Sequence, residues 1–341
     1  MEKILTVVVP TYNMEKYLDK CLSSLIVGEH LEDLEVLVVN DGSKDSSLEI
    51  ARRYETSHPG TFVVVDKKNG NYGSCINAGL KRASGKYFKV LDADDFFDTA
   101  CLEAYLAFLK QTDADLIMSD FQILDQTADT RQTIEYDLPV GITFSFDYFA
   151  KKDVPYMWMH GVTHLTEKMR RIGYQQQEGI SYTDKEFVFY PMAVSKTVAY
   201  FPRVIYYYLT GREGQTIDPT VWTKNYWMEA KAVKKLIELY KLHKDEVGEG
   251  GRLFMQLQLK LYLSSIYREY LKNSRGKLPI EQLVDFDKWL EGESNELYHI
   301  VDGELEVTDF PYIPVWRRYK MHIKRYLVHR FFHRMHYYLT K

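Results

Sequence analysis

Three carboxylates stand within four positions at Asp92-Ala93-Asp94-Asp95. Like charges at this spacing repel one another and are hard to bury unpaired. A divalent cation relieves the repulsion. A hard ion such as Mg²⁺ or Mn²⁺ seeks oxygen ligands, and substrate phosphates commonly complete its shell. The plainer alternative is a solvated acidic turn with Asp95 capping the next helix. A second acidic turn, Asn40-Asp41-Gly42-Ser43, holds a carboxylate that can accept a hydrogen bond from a base N–H or a ribose hydroxyl. It also reads as a simple turn in which Ser43 or Asp45 caps a helix. Pro10-Thr11-Tyr12-Asn13 offers the Tyr12 ring as a surface for a base. The sequence has no Walker A motif and no G-x-G-x-x-G after a strand, so phosphates are not gripped in the dinucleotide-binding manner.

The elements that carry these groups alternate between strand and helix. Continuous apolar runs at 5–9, 34–39, 62–65 and 87–91 read as buried strands, and 116–119 as a further one. Helical spacing is expected over 15–25, from Ser46 to about Tyr54, around 77–82 and over 102–109. Unbroken apolar strands alternating with helices imply a parallel sheet covered on both faces. Ligands of such sheets bind at the carboxyl ends of the strands, where the polar clusters lie. Residues 126–149 read as a hairpin or loop.

Beyond residue 218 the pattern becomes helical, with Gly248, Gly250 and Gly251 expected to separate two helices. This divides the chain into a catalytic domain, 1–218, and a helical region, 219–341. From Trp316 the sequence carries Arg317, Arg318, Lys320, Lys324, Arg325, Arg330, Arg334 and Lys341 without an acidic residue. Interleaved with aromatics, it suits an anionic membrane surface, a packed helix or a contact between copies of the chain. A net charge of −4 gives no support for nucleic-acid binding. Three scattered cysteines suit a reducing compartment. The apolar start is too short for a signal peptide, and no stretch reaches a membrane span. The expected location is cytoplasmic, at the inner face of the membrane if the tail binds it.

Taken in order, Val9-Pro10-Thr11-Tyr12-Asn13, Asn40-Asp41-Gly42-Ser43-Lys44-Asp45, Asn77-Ala78-Gly79-Leu80 and Ser84-Gly85-Lys86-Tyr87 leading to Leu91-Asp92-Ala93-Asp94-Asp95 resemble family 2 glycosyltransferases of the GT-A fold. The resemblance implies a mixed, mostly parallel sheet flanked by helices. It also implies inversion at the anomeric carbon, a nucleotide-sugar donor (most often a UDP-sugar), Mn²⁺ or Mg²⁺, and a saccharide acceptor, which can be lipid-linked. Carried over, Tyr12 and Asp41 hold the base, Asp92 meets the ribose or metal, and Asp94 ligates the metal. Pro10, Thr11, Asn13, Asn77 and Ala93 complete the donor contacts. Tyr182-Thr183-Asp184-Lys185-Glu186-Phe187 resembles the catalytic segment, with Asp184 as general base and Thr183 replacing the usual first acid. By residue type alone, Asp184 could equally be a structural cap or a partner of Lys185. In the closing segment, Tyr206 to Ile217, Leu209 stands where an arginine is usual, which leaves Arg212 as the diphosphate cation. Ile76 is a further departure, at a position where many relatives carry arginine.

His160 and His164 have i, i+4 spacing but no glutamate between them, and Trp158 beside them is a candidate stacking ring for the acceptor. Two other functions compete. A sugar-phosphate nucleotidyltransferase would require a Gly-rich basic loop where Thr11-Tyr12-Asn13 stands. A non-catalytic sugar- or nucleotide-binding relative would fit the departures at Thr183 and Leu209.

Overall fold

The computed structural model describes residues 3–152, 156–212, 214–216, 218–273, 277–304 and 312–318. Ten strands form one sheet: β1 (Leu5–Thr11), β2 (Leu34–Asn40), β3 (Phe62–Asp66), β4 (Tyr87–Val90), β5 (Phe96–Phe97), β6 (Leu116–Asp125), β7 (Thr130–Ile134), β8 (Thr143–Ser145), β9 (Val162–Leu165) and β10 (Thr197–Thr210). The order along the sheet is β3-β2-β1-β4-β9-β6-β10-β5, with β7 on β6 and β8 on β10. β1 pairs parallel with β2 on one side and β4 on the other. The order therefore reverses between β1 and β4, which opens a crevice at their carboxyl ends. The register Thr11↔Asn40 and Val8↔Val90 brings Pro10–Thr11, Asp41 and Asp92 to that one edge.

β9 runs antiparallel to both β4 and β6, while β6 and β10 are parallel to each other. The sheet is thus mixed and mostly parallel. A register shift in β10 between Phe201 and Val204 spans Pro202, which has no N–H to offer the ladder. β10 then continues to Thr210 and brings Tyr208, and Arg212 just past its end, to the crevice.

Side chains alternate between the two faces of the sheet. Val7 and Val9 join one buried cluster with Leu18, Ile50 and Leu102, whereas Val8 joins another with Leu37, Val90 and Met118. The helix Asn71–Arg82 lies on the Val8 face because Gly79 permits it. A Cβ there would meet Val8 Cγ2 at 2.5 Å. Phe254, Leu259 and Leu263 of the helix Gly248–Arg268 belong to the same cluster as Val8, so buried contacts continue across residue 218.

Several expected boundaries move. The helix expected from Glu15 is short, Leu18–Ser23. Asp98, not Asp95, caps the helix Thr99–Lys110 by accepting from Cys101 N. Ser46 sits at the start of the helix Ser47–Ser57 without a capping bond, and Asp45 Oδ1 accepts Ser47 N–H instead at 3.1 Å. Gly248, at φ +74°, does break the chain, but Gly250 and Gly251 lie inside the following helix. A Cβ at Gly250 would meet Asp147 Oδ1 at 2.2 Å, so close approach rather than helix breaking accounts for this glycine.

The basic tail begins differently from its reading as a membrane contact. Trp316 and Arg317, in the helix Tyr312–Arg318, are packed inside. The Arg317 guanidinium bonds Asp287 at 2.8 Å, Asp302 at 2.7 Å and the Tyr298 carbonyl at 2.7 Å. Burying a guanidinium is tolerable only with such partners. Residues 319–341 lie outside the described residues. Among the described residues no helix is long and apolar enough to cross a membrane.

Candidate active site

A cavity of about 230 Å³ opens at the carboxyl ends of β1, β2 and β4. Its lining brings together Pro10, Thr11, Tyr12, Asp41, Asp92, Ala93, Asp94 and Arg212, which are far apart in sequence. Tyr12 lines the cavity and is 46% exposed. Asp41 is buried. Its Oδ1 accepts from the Lys67 ammonium and from Gly70 N at 2.9 Å, and its carbonyl accepts from Asn69 Nδ2 at 3.0 Å. These bonds fix the carboxylate in one orientation.

Asn13 and Asn77 do not line this cavity. Asn13 adopts φ +55° and shapes the loop, its Oδ1 accepting Lys44 N–H at 2.8 Å. Asn77 clamps the segment 176–178: Nδ2 donates to the Gln176 carbonyl and Glu178 Oε1, and Oδ1 accepts from Gln176 N, each at 2.9 Å. Ile76 is fully buried on the same helix.

Each acid of the 92–95 turn has a different partner. Asp92 Oδ1 accepts from the Tyr72 hydroxyl at 2.8 Å. One oxygen of Asp94 accepts from Arg212 Nε in a close ion pair. Asp95 is fully buried: Oδ2 accepts from the Tyr206 hydroxyl at 2.6 Å and Oδ1 from Leu209 N at 2.7 Å. The position where an arginine is usual therefore contributes its backbone N–H, while the Leu209 side chain is buried. Burial first, and then the neighbouring carboxylates, push Asp92 and Asp95 above the ordinary carboxylate range.

A metal fits this donor set. Asp92 and Asp94 each keep an oxygen that accepts no hydrogen bond among the described residues, which suits a hard cation. Near Asp92, His160 Nδ1 is buried without a hydrogen-bond partner among the described residues. One ligand atom each of Asp92, Asp95 and His160 lie within 4.8 Å of one another. Asp95 is the weakest donor of the group, because both its oxygens already accept strong bonds. His160 precedes β9 and His164 lies on that strand, where His164 Nε2 contacts the Phe187 carbonyl at 2.9 Å and Nδ1 meets Lys168. The i, i+4 pair is therefore not a helical metal pair.

A second cavity, of about 340 Å³, adjoins the first and shares Tyr72, Asp92, Tyr208, Ser181 and Thr216 with it. Asp184 opens the helix Asp184–Val188 and faces this space with its side chain 43% exposed. Lys185 lies 3.9 Å from Asp184 but binds Glu229 more closely, at 2.8 Å. Tyr182, just before, holds φ +64°, a strained conformation for a non-glycine residue. Its hydroxyl donates to the Thr216 carbonyl at 2.9 Å. Thr183 is buried, with Oγ1 and its carbonyl both accepting from Gln176 Nε2 at 2.8 Å. A neutral hydroxyl does a structural task where an acid was usual. Trp158 lines the second cavity, and Tyr208 stacks on His160 at 4.3 Å.

Sequence reasoning did not single out Lys67, Tyr72, Trp222 or Glu229. Nothing in their spacing marks them; each reaches the site only through tertiary packing.

Residues 6–172 match the family model for glycosyl transferase family 2. The chain is 27% identical over 289 residues to an uncharacterized glycosyltransferase of Mycoplasma pneumoniae, the MG025 homolog, covering 81% of this chain and 88% of that protein. It is 26% identical over 320 residues to the minor teichoic acid biosynthesis protein GgaB of Bacillus subtilis, covering 86% of this chain but only 34% of GgaB. Among solved structures, residues 1–349 of S. aureus TarS in complex with UDP-GlcNAc superpose with a TM-score of 0.63 at 18% identity, covering 88% of this chain and 84% of that one. With the sheet order above, that likeness makes the fold GT-A.

Proposed function

We propose that this chain, which belongs to glycosyl transferase family 2 through residues 6–172, moves a sugar from a nucleotide-diphosphate donor to a saccharide hydroxyl with inversion. The observation that carries the reading is the meeting of two cavities at Asp92, with Tyr12 and Asp41 in one and Asp184 in the other. The donor base lies on Tyr12, and Asp41 accepts its N–H. A uridine diphosphate sugar of the hexose or N-acetylhexosamine type is the favoured donor, as TarS has been solved with UDP-GlcNAc.

Reaction is one displacement. The acceptor oxygen forms a bond to the anomeric carbon while the bond from that carbon to the diphosphate oxygen breaks. Asp184 takes the acceptor proton, and the electron pair leaves with the diphosphate. Arg212, held on Asp94, is the cation placed to meet the charge that develops there. Asp92 and Asp94 would hold Mn²⁺ or Mg²⁺, which when bound supplies Lewis-acid stabilisation of the diphosphate.

The acceptor is a saccharide, free or lipid-linked, in cell-surface polysaccharide synthesis, a setting suggested by the likeness to GgaB. We assign the enzyme to the cytoplasmic side of the membrane, with the basic residues from Lys320 onward as the membrane contact.

Calorimetry with UDP, GDP and UDP-GlcNAc, with and without Mn²⁺, tests the donor assignment, and release of UDP from the sugar nucleotide tests turnover. The expected result is metal-dependent binding of UDP and slow donor hydrolysis. Absence of binding by any nucleoside diphosphate in the presence of metal would sink it.

A further inference from the structure

The second cavity differs from the first in the origin of its walls and in the sign of its charge. Tyr156, Trp158, Asp184 and Lys185 form one wall. Trp222, Tyr226, Glu229 and Glu269, all from the helical region beyond residue 218, line the rest. Lys185 is the one lysine or arginine among the described residues lining it, against the carboxylates of Asp184, Glu229 and Glu269, with Asp92 at the border shared with the first cavity. Its ammonium is already held by Glu229 at 2.8 Å and by the Tyr182 carbonyl at 3.1 Å. His160 lines the cavity as well, with its Nδ1 buried and without a hydrogen-bond partner among the described residues. Tyr156 stays a protonated donor because burial first, then Asp184 and Glu229, raise its phenol.

We propose that this cavity is the acceptor subsite, and that it takes a pyranose without an anionic substituent; the inference rests on the transferase reading above. The C–H faces of a neutral pyranose lie against Trp158, Trp222 and Tyr156. Its hydroxyls donate to carboxylates in charge-assisted bonds and accept from phenols. A uronate or sugar phosphate would instead place a desolvated anion beside Asp184 and Glu229, where the one lysine among the described lining residues is already paired. At about 340 Å³ the space lies at the small end of ligand pockets, which suits the terminal part of an acceptor.

Trp158 and Trp222 in the wall supply the readout. The intact protein, saturated with UDP and Mg²⁺, is titrated with methyl glucoside, methyl N-acetylglucosaminide, methyl glucuronide and glucose 6-phosphate while tryptophan emission is followed. UDP binding is measured by calorimetry on the same preparation. We expect at least one neutral glycoside to bind about tenfold or more tightly than either anion, with the emission change lost in Trp222→Phe or, if that variant does not fold, Trp158→Phe. The double substitution Glu229→Gln and Glu269→Gln should bring the ratio close to one; if that protein does not fold, Glu269→Gln alone should lower it. With UDP bound, equal or tighter binding of the anions, or binding of none of the four, overturns the inference and leaves the transferase standing. Preference for neutral glycosides that survives loss of the glutamates overturns the charge argument. Failure to bind UDP removes the transferase reading, and this inference with it.

Discussion

Glu186 allows a sharp test of how burial and hydrogen bonding compete two residues from Asp184, the proposed base. It is 1% exposed, and its two oxygens accept from Gln177 N at 2.9 Å and Gln177 Nε2 at 2.8 Å. Two charge-assisted bonds would each favour the ionised form by about 1.5–3 kcal/mol. Burial opposes them and prevails, raising the pKa from 4.5 to about 7 despite Lys235 and Lys185. Between those values the folded protein keeps a proton that the unfolded chain has released. Stability from this group is therefore complete below pH 4.5 and lost as the pH rises through about 7. At 1.36 kcal/mol per pH unit the span corresponds to about 3 kcal/mol. Glu186→Gln keeps an acceptor and removes the charge, and Gln177 can rotate its amide to match. Denaturant unfolding of both proteins at pH 5 and pH 8 gives a double difference in which all other titrating groups cancel. The variant should gain about 2–3 kcal/mol on the wild type between the two pH values. A double difference near zero, or a loss at pH 8, would show that the hydrogen bonds outweigh burial and refute the reasoning.

Asp184→Asn should lower kcat by about 10²–10⁴-fold while the Kd for UDP is kept, since general-base help is lost and the nucleotide site is untouched. Asp94→Ala should abolish the Mn²⁺-dependent part of the stabilisation by UDP in a thermal-shift series; with Mn²⁺ the wild type gains about 2.7 kcal/mol in all at a hundredfold excess of UDP over Kd. Gly79→Ala forces a methyl into Val8 and should cost about 1–3 kcal/mol by denaturant unfolding, because neither the helix nor β1 can yield without repacking. Arg317→Met leaves Asp287 and Asp302 facing each other without their cation and should cost about 3–5 kcal/mol in the same assay.

Much of the donor half was legible because strand ends announce themselves. Val7-Val8-Val9 and Val36 to Val39 can only be buried strands, and an acidic turn after a buried parallel strand has a known place in such a sheet. The antiparallel β9 and the long β10 were not legible, because a four-residue strand and a proline-interrupted one give no clean periodicity. The role of Asn77 was read from its motif, and only the fold shows it committed to Gln176. Glu229 sits in a helix whose pattern reports burial of Val233, Leu236 and Ile237 and says nothing of what the opposite wall faces. Arg317 looked like surface charge because charge runs usually are; its partners, Asp287 and Asp302, are 30 and 15 residues away.

The acidic turn itself calls for a revised argument. Read in sequence, three carboxylates in four positions demand a divalent cation. In the fold they are relieved one at a time: Asp95 by a phenol and a backbone N–H, Asp92 by Tyr72, and Asp94 by Arg212. Repulsion alone is therefore not evidence for a metal, since the free protein already disperses it. What argues for the ion is the asymmetry of that dispersal. The acid whose two oxygens are both occupied is the one turned into the core, toward β10. The two that keep an oxygen line the first cavity, and Asp92 also borders the second, where His160 Nδ1 has no hydrogen-bond partner among the described residues. Arg212 fits the same logic. A cation held by Asp94 in the free protein costs little reorganisation when a diphosphate arrives. The departure at Leu209 then has a physical explanation. The backbone there anchors Asp95, and the arginine that pairs with Asp94 stands three residues further along the chain.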